Sequence, residues 1–235
     1  MLAEGTLIHN QPNILHCEDV FILHRIIIFA NGELPDINKV RPLLRPDDHI
    51  ICADGGARHA LALGLRPNLV IGDMDSINKD QWRELEQAGV AIEMFPRDKN
   101  ETDLELAILR AVELEPKEIV IVAALGGRLD QTLGNIALLT DARLLSFDIR
   151  FDDGVEEIFF CRDQAEVHGR SEDIVSLIPW GAPVQQIHTQ GLKWTLNNET
   201  LYPEKTRGIS NEMMSETARI KVSSGNLLIV HRRQS

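Results

Sequence analysis

The sequence predicts an α/β fold, a mostly parallel sheet with helices on both faces, followed by a smaller all-β sandwich domain. Three observations predict it. Continuous apolar runs recur from residue 25 onward, as in strands buried on both faces. Segments with helical spacing and capping signals separate those runs. After about residue 147 the alternation gives way to short alternating segments among Gly, Pro, Asn and Ser, with helical periodicity nearly absent.

Each element follows from local signals. Residues 26–30 form the first apolar run and end in the turn signal Asn31-Gly32. Residues 50–53 form the second, which breaks at Asp54-Gly55-Gly56, and a short helix over 57–63 is stopped by Gly64. The third run, 69–71, ends at Gly72-Asp73. A helix over 78–88 has Gly89 just past its end, and 90–95 reads as the fourth strand. Thr102 and Glu105 have capping-box spacing, and Leu104, Ala107, Ile108 and Ala111 give the helix that follows an apolar face. The fifth strand, 119–124, runs into Gly126-Gly127, and a helix is expected through 135–139. Strands of the second half are expected at 155–161, 174–178, 184–189, 218–222 and 227–230. This divides the chain into an N-terminal extension, 1–24, expected to be poorly ordered, an α/β domain, 25–147, and a β domain, 148–235.

Composition limits the function. The 235 residues include 36 acids and 24 bases, a net charge of −12, with 43% hydrophobic residues. Such a chain can bury a sizeable core. Its acidity repels phosphate backbones, so nucleic acid is a poor partner, and any bound polyphosphate needs metal ions or local cations. Three widely separated cysteines make neither a metal site nor a disulfide framework. No apolar run approaches the ~20 residues of a membrane span. Residues 1–24 lack the basic and long apolar regions of a secretory signal. A cytoplasmic protein without membrane association is the expectation.

Parallel sheets bind ligands at the carboxyl ends of their strands. Four successive strand ends here carry acids, at Asp54-Gly55-Gly56, Gly72-Asp73-Met74-Asp75-Ser76, the segment from Asp98 to Asp103, and Gly126-Gly127-Arg128-Leu129-Asp130. Acids crowded on one edge raise each other's pKa unless cations are present. If residues 73–75 stay extended, Asp73 and Asp75 point the same way, about 6.5–7 Å apart at the backbone, and can share or bridge hard cations. Magnesium suits them, since it typically takes one or two carboxylates plus substrate phosphates. A polar turn solvating a strand end is the competing reading, weakened by Asp54 and Asp103 on the same expected edge. Taken alone, Asp103 reads as a first-turn acid favoured by the helix dipole. Arg97, Lys99 and Arg128 are the cations near this edge, with Arg128 best placed behind two glycines whose N–H groups could cradle phosphate oxygens. The established nucleotide-binding motifs are absent. His59 and His168 read as surface residues rather than ligands.

These strand-end motifs, with Lys99 to Asp103, Gly126 to Gln131, Gly191-Leu192-Lys193-Trp194 and Gly208-Ile209-Ser210-Asn211-Glu212, resemble the ordered signature of the thiamine pyrophosphokinase family over residues 25–235. The resemblance implies a magnesium-dependent diphosphokinase that moves the diphosphate of ATP onto the hydroxyl of thiamine and releases AMP. It implies an ATP-binding α/β domain, a thiamine-binding β-sandwich, and a homodimer with active sites between subunits. By resemblance, Asp73, Asp75 and Asp103 are the magnesium ligands and Asp54 is the acid beside them. Lys99, Gly127, Arg128, Asp130 and Gln131 are ATP contacts, and Ser210, Asn211 and Trp194 hold thiamine, with core packing as the competing reading of Trp194. Another magnesium-dependent phosphotransferase or phosphatase, and a non-catalytic thiamine or nucleotide sensor, are the alternative functions.

Overall fold

The structure, a computed structural model, describes residues 23–234. The expectation for residues 1–24 therefore lies almost wholly outside the described residues. Six strands run parallel in the order β4-β3-β2-β1-β5-β6. They are β1 (Arg25–Phe29), β2 (His49–Ala53), β3 (Leu69–Gly72), β4 (Ala91–Met94), β5 (Glu118–Val122) and β6 (Asp148–Asp152). The central runs are buried on both faces because each face has its own helices. Ile26 and Ile28 of β1 pack with Leu104, Ala107, Ile108 and Ala111 of α3 (Asp103–Glu113) and with Ile136 of α4 (Leu129–Leu138). Ile27 and Phe29 pack on the opposite side with Ala57 and Ala60 of α1 (Ala57–Ala62) and Leu85 of α2 (Lys79–Gln87). Burying a large aliphatic side chain contributes about 1.5–3 kcal/mol, so these two layers hold the sheet together.

Helix starts follow side-chain caps. The Thr102 hydroxyl accepts from the Glu105 N–H at 3.2 Å, the arm of the capping box expected for α3. A reciprocal box, not read from the sequence, starts α2, where Asn78 Oδ1 accepts from Gln81 N–H and Gln81 Oε1 from Asn78 N–H. Helix α4 begins at Leu129, earlier than the expected 135–139, which puts Asp130 and Gln131 in its first turn.

Past β6 the sheet continues instead of ending. β7 (Glu156–Cys161) turns back antiparallel to β6, followed in spatial order by β13 (Ser224–Arg232), β9 (Ile174–Gln190), β12 (Thr217–Lys221) and β8 (Gln164–His168). β10 (Asn197–Leu201) and β11 (Asn211–Glu212) also pair with β9. The whole is one mixed 13-stranded sheet with helices, in which the parallel strands run directly into the half expected as a smaller all-β sandwich domain. The link is β6: it pairs in parallel with β5 and antiparallel with β7, although it starts just beyond residue 147. β9 makes the second link. Residues 174–180 pair with β13, and the strand then passes Gly181, at φ +76°, so that residues 184–190 pair mainly with β10 and β12. Val175 and Leu177 from its first half and Val184 and Ile187 from its second share one buried cluster with Ile220 and Ile229. No helix among the described residues is long and apolar enough to cross a membrane.

Candidate active site

The order of the parallel strands reverses between β1 and β5, whose crossovers leave toward opposite faces. Such a switch point opens a crevice at the carboxyl ends. A cavity of about 820 Å³ lies there, lined by residues from four strand ends: Asn31 and Glu33 after β1, Asp54 after β2, Asp73 after β3 and Arg128 after β5. A second large cleft, about 670 Å³, lies over β8, β9 and β12, and none of the site residues expected from the sequence lines it.

Asp54, Asp73 and Asp103 each point a carboxylate oxygen into one cluster, with all three atoms within 4.8 Å of one another. Asp54 is 3% exposed and its Oδ1 is buried without a hydrogen-bond partner. Asp103 Oδ1 is likewise buried, with the Lys99 ammonium 2.9 Å away but out of hydrogen-bond alignment. Burial raises the Asp103 carboxyl above its ordinary pKa. Lys99 opposes that rise, and the neighbouring Asp54 and Asp73 charges add to it. Asp103 Oδ1 has the Lys99 charge to compensate it, but the orphaned Asp54 oxygen is costly unless something else does. Three converging hard oxygens are the donor set a divalent magnesium ion takes, so the residues fit the metal implied by the sequence.

Backbone geometry builds the cluster. Asp54 has φ +45° and Met74 φ +63°, both uncommon for residues with side chains and the kind of strain that collects at functional sites. Gly72, at φ +150°, passes directly beneath the acids: a Cβ there would lie 3.0 Å from Asp103 Cγ and from Asp54 Cβ. Only glycine leaves that space open.

Met74 also corrects one expectation. With it left-handed, residues 73–75 are a turn and not extended, closed by Asp73 Oδ1 accepting the Asp75 N–H at 3.1 Å. Asp75 therefore does not join Asp73 in the cluster, and Asp54 stands in its place. The Asp75 carboxylate lies at the rim of the same cavity, accepting from the Ser76 hydroxyl at 3.2 Å and 3.7 Å from the Arg97 guanidinium.

Lys99, Gly127, Arg128, Asp130 and Gln131 all line the cavity. Arg128 and Asp130 are exposed and form an ion pair at 2.5 Å, which holds the Asp130 carboxyl below its usual range. Ser210, Asn211 and Trp194 do not line it. The Asn211 amide is spent on the Trp194 loop, with Oδ1 accepting from Trp194 N–H at 3.0 Å and Nδ2 donating to Trp194 O at 2.7 Å. The indole is 46% exposed with the Lys193 ammonium 4.8 Å from its ring centre, so Trp194 is not a core residue. Ser210, which precedes Asn211, has φ +57° and donates its N–H to the Ser176 hydroxyl at 3.0 Å. His59 is half-buried, its Nε2 3.0 Å from Gly32 O, whereas His168 is exposed.

Two residues that sequence reasoning passed over belong to this cavity. Arg58 donates to three carbonyls, Asn31 O, Gly32 O and Gly55 O, and so ties the loops after β1 and β2 together. Glu33 faces the turn after β5. Asn31-Gly32 carried only a turn signal, and nothing in the sequence marks an arginine that grips carbonyls.

Comparison with known proteins gives consistent matches. Residues 40–151 match the model described as thiamin pyrophosphokinase, catalytic domain, and residues 163–227 that described as thiamin pyrophosphokinase, vitamin B1 binding domain. The thiamine pyrophosphokinase of Bacillus subtilis is 31% identical over 188 residues, covering 78% of this chain and 88% of the relative. Thiamine pyrophosphokinase 1 of Arabidopsis thaliana is 30% identical, covering 84% and 83%. A crystal structure of a Bacillus subtilis thiamine pyrophosphokinase superposes with a TM-score of 0.82 at 27% identity, covering 90% of this chain and all of that one.

Proposed function

Since this chain belongs to the thiamin pyrophosphokinase family, we propose that its acid-lined cavity is where the diphosphate of ATP passes to thiamine. The overall reaction is that of a thiamine diphosphokinase: the primary hydroxyl of thiamine displaces AMP from the β-phosphorus of ATP, giving thiamine diphosphate. The observation that carries the site assignment is the convergence of Asp54, Asp73 and Asp103 within 4.8 Å beside Lys99.

Little covalent work falls to the protein in such a transfer, so catalysis is positioning and charge neutralisation. Asp54, Asp73 and Asp103 would hold magnesium, which when bound neutralises the phosphate oxygens in the transition state. Asp75 stands at the rim as a further oxygen donor. Lys99 supplies a cation next to the acids, and Arg128 a second, exposed one paired with Asp130. Gly126 and Gly127, at φ +83° and +67°, turn the backbone between them. The proton lost by the thiamine hydroxyl has Asp54 and Asp103 as its candidate acceptors.

A second copy of the chain completes the site in this reading. Ser210, Asn211 and Trp194, the residues we assign to thiamine, lie outside the cavity of their own chain. Exposed apolar side chains flank both regions: Leu129 (71% exposed) and Leu133 in α4 beside the cavity, Ile209 and Met214 in the segment that carries Ser210 and Asn211. A homodimer in which each β half faces the other's acids accounts for both facts. The deciding experiment incubates the pure protein with ATP, magnesium and thiamine and separates the products. Thiamine diphosphate and AMP in equal amounts are expected. Inorganic phosphate without AMP would mean a phosphatase, and tight binding without turnover a sensor.

A further inference from the structure

One carboxylate in the cavity has no task in the transfer as described. Glu33 sits in the loop after β1, whose carbonyls are pinned by Arg58 (2.9 Å to Gly32 O, 3.1 Å to Asn31 O) and approached by His59 Nε2 at 3.0 Å from Gly32 O. Its backbone position is therefore fixed even though the side chain is exposed. Across the β1–β5 crevice it stands against the Gly126-Gly127 turn. A Cβ on Gly126 would lie 3.1 Å from Glu33 Cβ and 3.4 Å from its Oε2, and one on Gly127 3.6 Å from its Oε1. The carboxylate thus borders the same turn that leads into Arg128, Asp130 and Gln131.

Among the described residues, none of the ion pairs near the cavity includes Glu33, which distinguishes it from Asp75, Asp103 and Asp130. The neighbouring Arg58 guanidinium is turned to the loop carbonyls, so the Glu33 charge stays uncompensated by an ion pair among the described residues and repels a polyphosphate, which belongs on the Lys99 and Arg128 side. What reaches Glu33 must bring hydrogen-bond donors. A carboxylate is an acceptor only, its two oxygens matched by the paired hydroxyls of a cis-diol, and bonds to a charged acceptor are the strong ones. Of the parts of ATP, the ribose alone carries such a pair.

We propose that Glu33 accepts hydrogen bonds from the ribose hydroxyls of the nucleotide donor and makes the enzyme select ribonucleotides over deoxyribonucleotides. The proposal rests on ATP being the donor. The test measures kcat/KM for ATP, 2′-deoxy-ATP and 3′-deoxy-ATP at fixed thiamine, in the wild type, Glu33→Ala and Glu33→Gln. Loss of a hydroxyl should cost the wild type about tenfold or more. In Glu33→Ala the three donors should fall within about threefold of one another, with the thiamine KM unchanged, and Glu33→Gln should lie between. Wild-type discrimination preserved in Glu33→Ala overturns the proposal, as does a raised thiamine KM with nucleotide selectivity intact, which would place Glu33 against the thiazolium cation instead. A wild type that uses all three donors equally also overturns it while leaving the diphosphokinase reading standing. A wild type that forms no thiamine diphosphate from ATP sinks that reading itself. If the variants turn over too slowly to assay, calorimetric binding of AMP against 2′-deoxy-AMP gives the same comparison: selectivity lost in Glu33→Ala supports the proposal, and selectivity retained refutes it.

Discussion

Replacing Gly72 by alanine adds one methyl group beneath the acid cluster. That carbon would lie 3.0 Å from Asp103 Cγ, Asp103 Oδ1 and Asp54 Cβ. Ordinary carbon contacts are about 3.5–4.0 Å, so the two carboxylates must move apart by roughly 0.5–1 Å. A displacement near 1 Å in a catalytic constellation costs about 100-fold in rate, so kcat should fall by about 10- to 100-fold. The backbone adds its own cost: alanine at φ +150° carries strain of about 1–3 kcal/mol. For a chain of this size each kcal/mol lowers Tm by about 2–4 °C, giving a drop of about 4–8 °C for ~2 kcal/mol. Gly64→Ala separates the two effects. Gly64 also has a positive φ, +74°, but nothing lies within 4 Å of an added Cβ, and it is outside the cavity. It should lose about 1 kcal/mol of stability with unchanged kcat. Thiamine diphosphate formation followed at several magnesium concentrations, alongside thermal melts, reads both quantities. Wild-type kcat and magnesium dependence in Gly72→Ala would refute the account of how the acids are packed.

Asp54→Asn and Asp73→Asn should each lower kcat by about 100-fold or more with Tm nearly unchanged, whereas Asp75→Asn, outside the cluster, should cost about tenfold at most. Equal losses for all three, measured under saturating magnesium, would reject the distinction. Asp73→Asn and Trp194→Ala proteins should each be nearly inactive alone. Mixed and reannealed, they should recover about a quarter of wild-type turnover, because one intact site forms per mixed dimer. The last prediction concerns pH. His231 is fully buried between Asp173 (3.0 Å from Nε2) and Glu157 (3.3 Å from Nδ1). Burial pulls its pKa down, the two carboxylates outweigh burial despite the nearby Arg233, and the net shift is upward from 6.5. The Asp173 and Glu157 carboxyls are shifted down, from 3.8 and 4.5. The network's stabilisation is then full between about pH 4.5 and 6.5 and is lost as pH rises through the elevated histidine value. Melts from pH 6 to 9 should show a falling Tm that flattens in His231→Gln; an identical fall in both proteins would dismiss the histidine as its source.

The parallel strands were legible because burial on both faces leaves an unbroken apolar run, as in Ile26-Ile27-Ile28. β6 hid itself by the reverse logic. Its sequence DIRFD alternates apolar and charged residues and looks half-solvated, yet Arg150 is held among Glu118, Asp148 and Glu157 by ion pairs that no local pattern announces. β9 was read as two strands because Pro179, Gly181 and Pro183 punctuate its middle, where in fact the strand changes partners. In the cavity, acids at strand ends were readable as a set. Which of them converge was not, because the exchange of Asp75 for Asp54 turns on the left-handed backbone of Met74, a residue type that does not advertise that conformation. Glu33 and Arg58 stayed hidden because their importance lies in what they face across the crevice.

The unbroken passage from β5 through β6 and β7 into β13 and β9 has a bearing on where the chain can be divided. A chain cut after Asp152 would leave the outer rim of β6 with open amides and carbonyls, an invitation to stick to neighbours. It would also strip Leu139 O of the Arg162 guanidinium that closes the end of α4. The two halves share one hydrogen-bonded sheet, so neither presents a finished edge without the other.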